Sequence, residues 1–154
     1  MRLTIGLLVL STFAAAQSFD LKGDVPTPKT FSAADLQKLP RNSATVQVSG
    51  TKVKYEGVAL VDLFKAAGLL FDEATKPTNL IRYVVVQGTD KYRVVFAVPE
   101  FDPSLTNKLV ILADTKDGKP LSSAEGPFHV IVADEKRQMR WVKFAECMTV
   151  VRVP

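Results

Sequence analysis

The sequence predicts an α+β domain with a mixed, β-rich sheet core and short helices. Three observations predict it. Ile81 to Gln87, Tyr92 to Val98, Leu109 to Asp114, Phe128 to Ala133 and Cys147 to Val153 are rich in Val, Ile and aromatic residues and are separated by turn formers, as expected of pleated, partly buried strands. Several of these runs are almost continuously apolar, which suits strands buried on both faces. Leu60, Leu63, Phe64 and Ala67 recur at helical spacing before Gly68, placed where a glycine ends a helix, so one amphipathic helix has a sheet to cover.

In chain order, Met1-Arg2 supplies positive charge, Leu3 to Leu10 an apolar run and Ala14-Ala15-Ala16 a small-residue cleavage site. This is the pattern of a secretory signal over residues 1–16, with the mature chain starting at Gln17. The run is shorter than the ~20 residues that span a bilayer, so no stable membrane insertion is expected after cleavage, and a periplasmic or secreted location follows. Residues 17–30 carry Gly23, Pro26 and Pro28 among polar residues and read as an extended N-terminal segment before a domain at residues 31–154. Ser32-Ala33-Ala34-Asp35 has the form of a capping box, Leu36 and Leu39 give the short helix an apolar side, and Pro40 ends it. Ala44, Val46 and Val48 alternate with polar residues, and after Ser49-Gly50 the alternation resumes at Val53 and Tyr55, which predicts a hairpin.

Removing residues 1–16 leaves 138 of the 154 residues, within the ~100–150 usual for one domain. Cys147 is the single cysteine, so no internal disulfide forms and stability rests on packing. Arg2 is the one charged residue of the signal, so the net charge falls from +4 to +3 on cleavage, too mild to point to nucleic acid. The sequence contains no G-x-S-x-G, P-loop, H-E-x-x-H, G-x-G-x-x-G or C-x-x-C.

Asp117-Gly118-Lys119-Pro120-Leu121 follows a strand end at Asp114; Gly126-Pro127 opens the run from Phe128 to Ala133; Arg140-Trp141-Val142-Lys143 comes next. Upstream stand Tyr55-Glu56-Gly57-Val58-Ala59-Leu60, Leu63-Phe64-Lys65-Ala66-Ala67-Gly68 and Thr89-Asp90-Lys91-Tyr92-Arg93-Val94-Val95-Phe96. From Phe31 to Val153 the chain resembles the oxidoreductase molybdopterin-binding domain of sulfite-oxidase type. The resemblance implies that fold, and it implies molybdopterin as cofactor. Enzymes of the family give molybdenum a cysteine thiolate from a loop between the first strand and the Tyr-x-Gly turn. Here that interval reads Val48-Ser49-Gly50-Thr51-Lys52-Val53-Lys54, shorter than the family's loop and without cysteine. Ser49 is no substitute for a soft sulfur ligand. Cys147 stands elsewhere, and lone cysteines usually pack as small hydrophobes.

By the same resemblance, the basic stretch before the last strand helps to hold the pterin phosphate. Arg140 and Lys143 fall at two of its basic positions, and a planar fork beside a mobile point charge suits an anion. Asp90 and Tyr92 stand in the family's Asp-Gly-Tyr turn, with Lys91 in place of Gly, and are carried over as further anion or pterin-phosphate contacts. A solvated turn with Trp141 and Phe144 packed inward accounts for the same basic residues, and turn stabilisation accounts for Asp90. His129, with no second His and no nucleophile motif nearby, reads as a satisfied structural histidine. The expectation is an exported module without redox activity or cofactor that binds a small anionic ligand or a partner protein. The alternative is a molybdopterin-dependent oxidoreductase that holds its cofactor without a protein thiolate.

Overall fold

The computed structural model describes residues 17–154, so the expected signal lies outside the described residues. β1 (Ser18–Gly23) and β2 (Lys29–Ser32) lead into α1 (Ala33–Gln37). The hairpin β3 (Arg41–Val48) and β4 (Thr51–Ala59) precedes α2 (Leu60–Ala66) and α3 (Lys76–Leu80). β5 (Arg82–Gly88), β6 (Arg93–Ala97), β7 (Val110–Lys116), β8 (Lys119–Pro120), β9 (His129–Val132) and β10 (Ala145–Arg152) follow. One sheet has the order β2-β1-β10-β5-β6, the other β3-β4-β7-β8 with β9 also paired to β7. β1 runs parallel to β10 and the other pairings are antiparallel, the mixed, β-rich architecture the sequence predicts.

Local chemistry explains several elements. Ser32 Oγ accepts from the Asp35 amide at 3.1 Å and the Ser32 amide donates to Asp35 Oδ2 at 3.1 Å, a capping box that satisfies two backbone donors at the start of the helix. Ser49 and Gly50 take φ of 51° and 81°, the left-handed pair whose twist suits a two-residue hairpin turn. β3 and β4 are therefore in register all the way from Arg41 opposite Val58 to Val48 opposite Thr51. Leu60, Leu63 and Phe64 of α2 are buried, and the helix packs on β4 and β7. Val110 to Ala113 of β7 and all four residues of β9 are buried, as strands covered on both faces must be. Side chains from both sheets share one apolar core.

The structure corrects the reading of residues 17–30 as a lead-in. β1 lies between β2 and β10, and Phe19 and Leu21 are 0% and 1% exposed. Ser18 to Lys22 alternates polar and apolar residues, the period of a half-buried strand, over a stretch too short to stand out beside Gly23 and two prolines. Asp24 then receives Arg82 Nε at 2.7 Å and Arg152 Nε at 2.8 Å, fastening the start of the domain to β5 and β10. No helix of the described residues is long and apolar enough to cross a membrane.

Candidate ligand cleft

Asp90 and Tyr92 at the β5–β6 turn, and Lys143 just before β10, line one cleft of about 220 Å³ with His129, Gln138 and Trp141. A Cβ on Gly88 would lie 2.5 Å from the Lys143 carbonyl oxygen and 2.7 Å from Asp90 Oδ1. Glycine at the end of β5 thus lets the turn close against the segment that carries Lys143. Lys91 takes φ of 70°, the left-handed conformation to which the glycine of the family's turn is suited. Asp90 Oδ1 accepts from the Tyr92 amide at 3.0 Å, the turn-holding role open to Asp. The Tyr92 hydroxyl donates to the Met139 carbonyl and ties the turn to the 3₁₀ segment Gln138–Arg140. Lys143 is exposed and makes no ion pair among the described residues.

Arg140, expected beside Lys143 as an anion contact, does not line this cleft. Its guanidinium lies 4.4 Å from the Phe96 ring centroid. Nη1 and Nη2 donate to the two Glu100 oxygens at 3.2 and 3.1 Å, and Nε donates to Glu135 Oε1 at 2.7 Å. Lys108 Nζ adds contacts to Glu100, Asp134 and Glu135 at 3.7, 3.5 and 3.8 Å. Burial works against the Arg140 charge, but the bonds to Glu100 and Glu135 outweigh it and hold its pKa above the usual value. Two cations face three carboxylates, so the fork is already saturated and the cluster gives a further anion no attraction.

His129, which also lines the cleft, is 2% exposed. Its Nδ1 lies 3.1 Å from Glu125 Oε2. That carboxylate also accepts from the Tyr55 hydroxyl at 3.1 Å and from Lys116 Nζ at 2.9 Å. Burial pushes the Glu125 pKa up, but Lys116, Tyr55 and His129 together bring it below the ordinary range. Burial lowers the His129 pKa to about 4 against the opposing pull of Glu125. At neutral pH the pair is therefore a carboxylate beside a neutral imidazole. Tyr55, His129 and Trp141 stand mutually edge-on, with ring centroids 5.6 to 5.8 Å apart, and Trp141 Nε1 donates to the Val132 carbonyl at 3.1 Å. The expectation of a satisfied histidine holds at Nδ1 but not at Nε2, which is buried without a partner among the described residues. Glu125 and His129 are four residues apart, but Tyr55 is 70 residues from Glu125, so the sequence shows the central pair locally and not the group that completes the network.

The model of the oxidoreductase molybdopterin binding domain matches residues 11–154. The chain belongs to that family. Among solved structures, the sulfane dehydrogenase SoxCD from Paracoccus pantotrophus is similar with a TM-score of 0.67 at 19% identity, over 86% of this chain and 37% of that one. The likeness is one of fold, and this chain spans little more than a third of that relative's length. A comparison with curated proteins gave no match.

The residues present do not fit the molybdenum ligation of the family's enzymes. Ser49-Gly50 alone joins β3 to β4, so no ligand loop emerges there. Cys147 lies on β10, in a separate depression of about 590 Å³ with Asp20, Lys22 and Gln87. It is 8% exposed, and burial raises its thiol pKa, which disfavours the thiolate a soft metal requires.

Proposed function

We propose that this chain is an exported, single-domain member of the family that acts as a binding or accessory module, holding a small anionic ligand in the Lys143 cleft without redox turnover at molybdenum. The observation that carries this reading is the contrast between two neighbouring cations. Among the described residues Lys143 is the one cation in a cleft lining that also holds the Asp90 carboxylate, and it makes no ion pair, whereas Arg140 is paired with Glu100 and Glu135. A free ammonium group over a small, partly aromatic hollow is a point-charge anchor for an anion.

The test is thermal unfolding across a panel of acetate, glycolate, phosphate and sulfate. A bound anion raises the melting temperature as its concentration passes its dissociation constant. Lys143→Ala is expected to abolish that rise at little cost to the fold, because the side chain is exposed. Arg140→Ala is expected to lower the baseline melting temperature, leaving the carboxylate cluster undercompensated, while the ligand-dependent rise persists. No rise with any anion, or a rise that survives Lys143→Ala, would overturn the reading.

A further inference from the structure

We infer that the ligand of the Lys143 cleft is a small organic anion carrying its own O–H or N–H donor, which it gives to His129 Nε2 while its charge faces Lys143. This deepens the anion-binding reading and rests on it. Among the described residues His129 Nε2 has no hydrogen-bond partner and almost no exposed surface, and its ring forms part of the cleft lining, so a ligand's donor reaches Nε2 once the ring or its neighbours shift. The tautomer follows from the neighbours of Glu125. Tyr55 and Lys116 both donate to that carboxylate, so it is ionised and can only accept. The nitrogen facing it, Nδ1, therefore carries the proton, and Nε2 presents a lone pair. A bare anion leaves that lone pair unpaired: acetate has no hydrogen to give it, whereas a hydroxyl or amide N–H does.

Size and lining narrow the class further. The cleft of about 220 Å³ has room for roughly seven waters at their liquid volume, enough to seat a short-chain acid. Tyr92 and Trp141 beside His129 offer aromatic surface to a carbon skeleton. A 2-hydroxycarboxylate meets all three conditions: a charge for Lys143, a hydroxyl for Nε2 and carbon between them.

Glycolate, its ether methoxyacetate and acetate are suitable probes, since only glycolate has a hydroxyl donor. His129 is the only histidine, so ¹⁵N NMR of the intact protein labelled at histidine reports on one imidazole without mutation. At neutral pH the free protein is expected to show a protonated Nδ1 and a bare Nε2. Glycolate should move the Nε2 resonance in the direction of an accepted hydrogen bond and bind about tenfold more tightly than methoxyacetate or acetate. His129→Phe should bring the three affinities together. A proton found on Nε2, or an Nε2 resonance that responds equally to glycolate and methoxyacetate, would overturn the inference even if His129→Phe does not fold. Equal binding of all three acids, lost in Lys143→Ala, would leave the anion-binding reading standing and remove this one. Binding of none would remove both.

Discussion

A histidine next to a carboxylate usually gains affinity for its proton; His129 loses it because burial outweighs Glu125. The consequence for stability has a definite sign. Between its folded pKa of about 4 and the unfolded value of about 6.5, the unfolded chain binds a proton that the folded chain refuses. Stability therefore rises with pH across that window and is lost as pH falls through it. Glu125, Glu100 and Asp24 have depressed folded values, so their contributions are present above the ordinary carboxylate range and are lost at lower pH. As His129 is the only histidine, the interval from pH 5 to 6.5 is largely its own. Urea unfolding should show a gain of about 2 kcal/mol over that interval, and His129→Phe should flatten it. A flat profile for the unmutated protein would mean that the imidazole is not buried in its neutral form.

At the scale of elements, β1 tests how far the domain extends toward the N-terminus. Phe19 is fully buried and lies edge-on to Phe128, with ring centroids 6.4 Å apart. Phe19→Ala should cost about 4 kcal/mol in chemical unfolding, whereas a residue in a loose leader would cost less than about 0.5 kcal/mol. Elements whose causes are local were legible in the sequence: the Ser32–Asp35 box, the Ser49-Gly50 turn and α2 with Gly68 each depend on residues within one or two turns. β1 was not, because its alternation is brief and its partner β10 is more than a hundred residues away. The cleft divides in the same way. Asp90, Tyr92 and Lys143 are expected as contacts from motif position alone, and folding brings the three to one cleft. Arg140 was placed with them because its type and position suited an anion, but Glu100 and Glu135, which capture it, become its neighbours only after folding. His129 was recognised as unusual only once Glu125, Lys116 and Tyr55 had been brought together.

At the scale of the whole molecule, the family fold is kept while the place from which its enzymes supply a thiolate is closed. The β3–β4 ladder runs without a break into a two-residue turn, and the one cysteine sits in a different sheet, in a separate depression. The short connection suits the fold, because the hairpin has a continuous ladder and a turn matched to its twist. It costs the metal its soft protein ligand. Protein made in cells that synthesise the molybdenum cofactor, and recovered after export, should therefore begin near Gln17 by mass spectrometry, be colourless, and contain less than about a tenth of an equivalent of molybdenum per chain. About one equivalent would restore the alternative of an oxidoreductase that holds its cofactor without a thiolate. The recovery of a full-length, membrane-bound chain would remove export from the proposal. The two readouts fail separately, so a metal-free protein retained inside the cell would still leave the Lys143 cleft to be judged by its ligand.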